Sequence, residues 1–300
     1  MRRILASGVL SLLGLGLLPA CSAASADTHG RIAVVAAENM YGDIVEQVGG
    51  PHVSVTSLIS DPAADPHLFQ EGTREGLAVA EARLVVENGL GYDNFMERLL
   101  TAAPSSGRVV LTVAKILRVD GADANPHLWY DAPRIALVAQ AIARDLGLLD
   151  PADAGYFTAQ AAVFDRSMSP LLATLDAIRT RFAGAPVAYT ERLPGYLLLD
   201  AGLVVVTPAA FAQAIEEGND PSVSALTEMD NLMTERRARV LIYNTQTVSP
   251  ITEAVRALAR AHGVGVVGMS ETMPQAEHFQ AWQLSQAQAL EQALGKAAAG

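Results

Sequence analysis

The chain has 300 residues, a net charge of −11, six histidines and a single cysteine. The acidic excess argues against nucleic acid or an anionic membrane face as the ligand and is compatible with a cationic ligand. One cysteine cannot form an internal disulfide and is too few for a cysteine-based zinc centre. The length is enough for one large domain or two of ordinary size.

The first twenty residues have the layout of an export signal, because Arg2 and Arg3 precede an apolar run that ends in small residues. The apolar run is too short for a typical membrane span. We therefore expect residues 1–20 to be removed from the mature protein, and the loss of the two arginines brings its net charge to −13.

Cys21 directly follows the apolar run. The segment Leu18–Cys21 is similar to the lipobox of bacterial lipoproteins, in which the cysteine becomes the lipidated N-terminus, although proline is unusual at position 19. The alternative is an incidental cysteine beside an ordinary cleavage site. Residues 21–30 are mostly small and polar and predict a flexible tether. The sequence thus predicts a soluble body that a lipid anchor holds at a membrane surface.

Residues 31–149 predict an α/β lobe, since short β-branched runs alternate with longer amphipathic stretches. Such alternation is typical of a parallel sheet covered by helices. The predicted strands are Arg31–Ala36, His52–Ile59, Arg83–Glu87 and Arg108–Val113.

Residues 150–183 contain no strand-like run. Asp150 and Pro151 combine an N-cap residue with a proline at the first helical position, and apolar residues then recur at roughly helical spacing. We predict one long helix that joins two lobes, and we expect Pro170 to kink it or divide it.

Residues 184–300 repeat the α/β pattern and predict a second lobe. The expected fold is therefore α/β with two lobes, each a roughly four-stranded and mostly parallel sheet flanked by helices, joined by one long helix. The predicted strands of this lobe are Pro186–Thr190, Leu203–Thr207, Ala238–Asn244 and Val264–Met269.

Two similar motifs, Asp65–Phe69 (DPHLF) and Asn125–Trp129 (NPHLW), each follow a predicted strand of the first lobe. Ligands of open parallel sheets bind beyond the carboxyl ends of the strands. In each motif proline stiffens the backbone, the polar residue before it can bond to the amides of the turn, and the aromatic residue anchors the loop. A rigidly held neutral imidazole suits a metal ligand, so His67 and His127 are candidate ligands. Either histidine alone would more commonly lie at the surface or cap a helix.

Glu191 and Glu271 follow predicted strands of the second lobe. A glutamate at such a place usually caps a helix or carries a solvated charge, but these two occupy equivalent strand ends. We expect two imidazoles and two carboxylates to converge on the cleft between the lobes. Asn244 and Gln246, at the end of another strand, could line this cleft and form hydrogen bonds to the ligands.

Other catalytic templates are missing from the sequence, including the phosphate-binding loop, the GxSxG elbow and HExxH. Gly89–Phe95 (GLGYDNF) offers glycines after a strand but lacks the GxGxxG spacing of dinucleotide sites. Two histidines and a carboxylate also describe a hydrolytic zinc or non-haem iron centre, so a metal-dependent enzyme is one alternative function. A surface adhesin is another alternative.

The motifs along most of the mature chain resemble those of the substrate-binding proteins of zinc- and manganese-type ABC transporters, often called cluster A-I. The similar segments are AENMYGDIVEQVGG, DPHLF, LAVAEARLVVENGLGYDNFMERLL, NPHLWYDAPRIALVAQAIARDLGLLDPADAGYF, AYTERLPGYLLLDAGL, VLIYNTQ and VVGMSETMP. The resemblance implies two α/β lobes joined by a rigid helix, with one metal ion held by four residues in the cleft.

By this resemblance, His67 and His127 match the first two metal ligands, and Glu191 and Glu271 match the third and fourth. Relatives that carry zinc generally have histidine at the third position, whereas those that carry manganese or ferrous iron have glutamate there. The fourth ligand is usually aspartate. Because glutamate reaches one methylene further, its loop must sit slightly back or the carboxylate must bind through one oxygen.

The metal is not decided by the ligand set. Two imidazoles and two carboxylates suit borderline-to-hard divalent ions, and the intrinsic affinity order favours Zn²⁺ over Mn²⁺. The histidine-rich acidic loop of many zinc-type relatives is missing, since Thr101–Ala124 contains no histidine. The prediction is therefore a monomeric, non-enzymatic, extracytoplasmic bacterial lipoprotein that captures Mn²⁺ or Zn²⁺, with Fe²⁺ behind both, and delivers the ion to an ABC permease.

Overall fold

The computed structural model describes residues 30–62 and 66–299, apart from the side chains of His67 and Ala299. The predicted export signal, Cys21 and residues 22–29 of the predicted tether lie outside the described residues, as does Asp65 of the first motif. Within the described ranges, no helix has the length and apolar character needed to cross a membrane.

The first lobe is built on a four-stranded parallel sheet with the strand order β2-β1-β3-β4. Val34, Val85 and Val86 are buried, because helices cover both faces of the sheet. The predicted strands are confirmed, with shifts of one or two residues at their ends. The strands are β1 (Ile32–Glu38), β2 (Val53–Ile59), β3 (Leu84–Glu87) and β4 (Val109–Thr112).

In the described part of this lobe, five helices and three short 3₁₀ turns accompany the sheet. The helices are α1 (Asn39–Gly49), α2 (Thr73–Glu81), α3 (Asn94–Ala102), α4 (Val113–Leu117) and α5 (Ile135–Leu149). The 3₁₀ turns are Gly50–His52, Pro66–Leu68 and Leu128–Tyr130.

The linking segment contains two consecutive helices, α6 (Ala154–Ser167) and α7 (Ser169–Phe182), which meet at Met168. Pro170 lies in the first turn of α7 and has no amide hydrogen to donate to the carbonyl of Arg166, four residues earlier. The hydroxyl of Ser169 donates to that carbonyl instead, at 2.7 Å. Proline thus divides the predicted long helix, and a local side chain satisfies the carbonyl that it leaves open.

The second lobe has a four-stranded parallel sheet with the order β6-β5-β7-β8. Its edge strand β6 has only two residues, Val204 and Val205, both of which are exposed, and it is shorter than predicted. Short edge strands limit unwanted pairing with other chains. The remaining strands are β5 (Pro186–Tyr189), β7 (Val240–Asn244) and β8 (Gly265–Met269). The helices are α8 (Gly195–Asp200), α9 (Ala209–Glu216), α10 (Val223–Thr234), α11 (Pro250–Ala261) and α12 (Phe279–Ala299).

One hydrophobic core runs through both lobes and includes Val34 of the first sheet and Ile242 of the second. Aromatic side chains bridge the lobes, since the ring of Tyr130 in the first lobe lies 6.2 Å from the ring of Trp282 in α12 of the second. Rings at such separations contribute beyond their buried area. The two lobes are therefore packed against each other around the linking helices and α12.

Candidate metal site

Three of the four predicted ligands lie at the carboxyl ends of the parallel sheets and are buried. His127 immediately precedes the 3₁₀ turn that follows α4, Glu191 lies two residues beyond β5, and Glu271 lies two residues beyond β8. Their exposed fractions are 0%, 1% and 0%. His67 belongs to the 3₁₀ turn that follows β2, but its side chain lies outside the described part of the structure.

Asn244 joins the two candidate carboxylates. Its side-chain nitrogen donates to Glu191 Oε2 at 2.9 Å and to Glu271 Oε1 at 2.5 Å. A primary amide carries two hydrogens, so one nitrogen can serve both acceptors. Glu191 and Glu271, which are 80 positions apart in the sequence, are thereby brought to one place.

The ring of His127 is held in one tautomer by Asn125. The amide oxygen of Asn125 lies 2.7 Å from Nδ1 of His127 and accepts from the His127 backbone amide at 3.1 Å, as the first-lobe motif predicts. The amide nitrogen of Asn125 donates to the carbonyl of Arg192 at 2.8 Å, which fixes the orientation of the amide. Since an amide oxygen only accepts, Nδ1 carries the proton and Nε2 presents its lone pair.

Nε2 of His127 faces the carboxylate of Glu271. The two closest atoms, Nε2 and Oε2, are 3.7 Å apart, and Nε2 has no hydrogen-bond partner among the described residues. An ion bound about 2.1 Å from each atom would separate them by roughly 3.4 Å in a tetrahedral arrangement. The observed separation therefore fits two ligands of one ion.

The loop that carries Glu271 is fixed from several sides. The amide oxygen of Gln246 accepts from the backbone amides of Glu271, at 2.6 Å, and of Thr272, at 2.9 Å. Tyr92 donates its hydroxyl to Glu271 Oε2 at 2.8 Å. Asn244 and Gln246 thus both bond to Glu271 or its loop, and Tyr92 is a further contact that no sequence motif predicts. The sequence feature that points to Tyr92 is the preceding segment Gly89–Gly91, whose residues all have positive φ and turn the chain after β3.

A further buried carboxyl, Glu38, lies at the end of β1. Both of its oxygens are buried and have no hydrogen-bond partner in the described ranges. Burial raises the pKa of Glu38 well above its ordinary value, and the nearby charges of Asp93 and Glu87 raise it further. Burial also raises the pKa of Asp93 to about 6, against the opposing effect of backbone amides that bond to it. The carboxyl ends of the first sheet are thus rich in acids within an environment that disfavours negative charge.

The phenol of Tyr92 stays protonated in this environment. Burial raises its pKa well above the ordinary value, and the charge of Glu271 adds to the effect. The hydroxyl is therefore a permanent hydrogen-bond donor to that carboxylate. A divalent cation placed between His127, Glu191 and Glu271 would relieve the repulsion among the buried acids.

A second group of potential ligands lies away from these residues. Ligand atoms of His52, Asp150 and Asp153 are all within 4.8 Å of one another, and His52 Nδ1 is 2.9 Å from Asp153 Oδ2. All three residues are partly exposed. Asp153 is the N-cap residue of α6, where the helix dipole opposes a bound cation. This group serves to join the turn Gly50–His52 to the start of α6.

Comparisons with known proteins identify the family of this chain. The family model described as zinc-uptake complex component A, periplasmic (ZnuA) matches residues 34–293. The zinc-binding protein TroA of Treponema pallidum is 23% identical over 278 residues, which are 87% of this chain and 84% of TroA. The manganese-binding lipoprotein MntA of Halalkalibacterium halodurans is 25% identical over 165 residues, which are 54% of this chain and 54% of MntA.

The solved structure of FpvC from Pseudomonas aeruginosa in complex with Mn²⁺ has a TM-score of 0.75 and 22% identity to this chain. The likeness covers 90% of this chain and 100% of FpvC. At that identity it concerns the fold, and it confirms the predicted two-lobe architecture. The resemblance inferred from the sequence motifs is also confirmed, because the matching family model spans most of the chain: the protein belongs to the ZnuA family of periplasmic zinc-uptake components.

Proposed function

We propose that this protein is the extracytoplasmic binding component of an ABC importer, which captures a divalent transition metal ion and delivers it to a membrane permease. The observation that carries the proposal is the pair formed by His127 Nε2 and Glu271 Oε2. Nε2 of His127 is buried, presents its lone pair to Glu271 Oε2 at 3.7 Å and has no hydrogen-bond partner among the described residues, whereas Oε2 accepts from Tyr92. In an apolar interior such a pair is unfavourable unless a cation lies between its members.

The proposed ligands are His67, His127, Glu191 and Glu271, with both imidazoles neutral and both carboxylates ionised. His67 enters on its position in the first motif, after β2 at the same edge of the sheet. Asn244 and Tyr92 already bind both oxygens of Glu271. This favours coordination through a single oxygen, one of the two ways in which a glutamate can replace the usual aspartate.

The cargo is Mn²⁺ or Zn²⁺, with Fe²⁺ behind both. TroA and MntA, whose names state zinc and manganese, represent the two possibilities among the relatives. Carboxylates that bind through one oxygen hold the coordination number near four, which Zn²⁺ prefers. Glutamate at position 191, however, matches the manganese-type relatives. Supply of the ion in the native compartment would then decide which ion is carried.

The ligand set favours a binding protein over an enzyme. A catalytic metal centre keeps an open position for water beside a general base. Here four protein ligands would close the coordination shell, and the three whose side chains are described have exposed fractions of 0% or 1%. We therefore assign no reaction to the site.

Metal titration of residues 22–300 tests the proposal. The wild type, His67→Ala, His127→Ala and Glu191→Ala are titrated with Mn²⁺ and Zn²⁺ while thermal unfolding is followed. A ligand at 100 times its dissociation constant stabilises a folded protein by about 2.7 kcal/mol, and the variants should lose most of this gain. His262→Ala, at the C-terminal cap of α11, is the matched control. A wild type that gains no stability from either ion would refute the proposal.

The anchor is tested in the native host. Cys21→Ser should move the protein from the membrane fraction to the soluble extracytoplasmic fraction. Unchanged membrane association would show that the cysteine is incidental. Deletion of the gene, followed by growth under limitation of each metal, tests the role in import.

A further inference from the structure

Helix α1 of the first lobe presents three polar side chains on one face, Asn39, Asp43 and Gln47. Their spacing of four residues aligns them along the helix. All three contact the segment between β8 and α12, or the first residues of α12, in the second lobe. We call this row of contacts the polar seam.

The polar seam consists largely of paired hydrogen bonds. Asn39 donates to the carbonyl of Met273 at 2.7 Å and accepts from its amide at 3.1 Å. Gln47 and Gln280 exchange side-chain bonds of 3.0 and 2.8 Å in the same two-way manner. Between these pairs, buried Asp43 accepts from the amide of Phe279 at 2.8 Å. Asp43 Oδ1 also lies 2.7 Å from Nδ1 of His278.

The Asn39 end of the polar seam reaches the loop that carries Glu271. Four consecutive amides of this loop, from Ser270 to Met273, donate to side-chain oxygens. Gln286 accepts from Ser270 at 2.9 Å, Gln246 accepts from the next two amides, and Asn39 accepts from the last. Because Gln246 and Gln286 belong to the second lobe, Asn39 is the acceptor that the first lobe supplies.

We propose that Asn39 is a positioning residue for metal binding, which holds the Glu271 loop to the lobe that carries His127. Glu271 belongs to the second lobe by sequence, but its carboxylate must meet Nε2 of His127, which belongs to the first. The two-way bond from Asn39 to Met273 fixes the backbone two residues from Glu271. Tyr130, also of the first lobe, donates to the carbonyl of Ser270 at 2.9 Å and holds the other side of the loop.

This inference rests on the proposed metal-binding function and gives a role to a residue that is not a ligand. The side chain of Asn39 bonds to the backbone of Met273, so its effect on metal affinity would pass through the backbone of the loop. Residues that orient metal ligands typically contribute a factor of about 10 to 100 to metal affinity. We expect Asn39→Ala to weaken binding of Mn²⁺ and Zn²⁺ by about tenfold, at the low end of that range.

The chain supplies a matched control in Gln47→Ala. This variant also removes a two-way amide pair between helix α1 and the second lobe, but at the far end of the polar seam. A general loosening of the lobes would affect both variants alike. Positioning of Glu271 predicts that Asn39→Ala loses affinity while Gln47→Ala stays within about twofold of the wild type.

A double-mutant cycle tests whether Asn39 acts through Glu271. Metal affinity is measured by competition titration for the wild type, Asn39→Ala, Glu271→Ala and the double variant. If Asn39 acts only by placing Glu271, its substitution costs nothing further once that carboxylate is gone. An equal loss in both backgrounds would overturn the inference, as would an affinity of Asn39→Ala equal to that of the wild type.

Two further measurements separate this inference from the proposed function. The visible absorption of Co²⁺-loaded protein reports the ligand geometry, and Asn39→Ala should change the spectrum in the direction of Glu271→Ala, whereas Gln47→Ala should not. Hydrogen exchange at the Met273 amide needs no metal and should speed up in Asn39→Ala. A wild type that binds no metal refutes the proposed function, and unaltered exchange refutes the hold on the loop.

Asn39→Asp serves if Asn39→Ala does not fold. It retains an acceptor for the Met273 amide but places a carboxylate oxygen against the Met273 carbonyl. We expect a loss of affinity at least as large as the one predicted for Asn39→Ala. Wild-type affinity in a folded Asn39→Asp variant would overturn the inference.

Discussion

Substitution of Glu38 by glutamine should make the metal-free protein more stable relative to wild type as the pH rises. Glu38 is fully buried, and neither of its oxygens has a hydrogen-bond partner in the part of the chain that the structure describes. Its pKa in the folded protein lies well above the ordinary value of 4.5, first because of burial and then because of Asp93 and Glu87. Glutamine is nearly isosteric with the protonated acid and cannot ionise.

The sign of the effect follows from where the proton is bound. Below about pH 4.5 both the folded and the unfolded chain keep the Glu38 proton, so the pH dependence of the two proteins is the same. Above that pH the unfolded chain loses the proton while the folded protein retains it. The wild type then loses about 1.4 kcal/mol of unfolding free energy per pH unit relative to the variant, until the folded protein ionises as well. By pH 7 the difference reaches at most about 3 kcal/mol.

Urea unfolding of metal-free protein, followed by circular dichroism at several pH values, measures this difference. The amide nitrogen of glutamine adds an unsatisfied donor with a cost of about 1–3 kcal/mol, but that cost does not depend on pH. The diagnostic quantity is therefore the slope of the difference in unfolding free energy against pH. Glu228→Gln, at an exposed position of α10, is the control and should give no comparable slope. If the difference in unfolding free energy between the Glu38 variant and the wild type did not change between about pH 5 and pH 7, Glu38 would not be a buried neutral acid.

Three further outcomes concern the candidate ligands. Asn125→Ala should weaken metal binding about tenfold, because Nδ1 of His127 loses its acceptor and the ring is no longer held in one tautomer; isothermal titration measures this. Asn244→Leu should destabilise the metal-free protein by about 1–3 kcal/mol in chemical unfolding, because it removes the donor to both carboxylates. Metal affinity should fall as the pH is lowered, because the ligands bind the ion in their deprotonated forms; competition titrations at a lower and a higher pH that gave equal affinities would contradict this ligand set.

The fold could be predicted because its signals are local. The β-branched runs of both sheets, and the proline that divides the linking helix, are visible within a few residues of sequence. The edge strand β6 was predicted too long, since a run such as Leu203–Thr207 does not show that its side chains remain exposed at the margin of a sheet. Whether a strand is central or marginal depends on its neighbours in space.

The candidate site was only partly predictable for the same reason. His127, Glu191 and Glu271 follow strands, and the strand-end rule brings such residues together. Tyr92 and Asn39 reach the site through partners that are 179 and 234 positions away in the sequence. Neither belongs to a local motif that specifies such a partner. The ligand role of His67 stays a prediction, as does that of the other three residues.

The burial of the candidate ligands has a kinetic consequence. A chelator in solution could not reach an ion held by the buried side chains of His127, Glu191 and Glu271, so such an ion would leave only when the surrounding loops or lobes separate. The rate of metal removal would then level off at high chelator concentration, at the rate of that opening. The residence time of the cargo would depend on the conformational change more than on the strength of its coordinate bonds. A partner that opens the cleft would thus set when the ion is released.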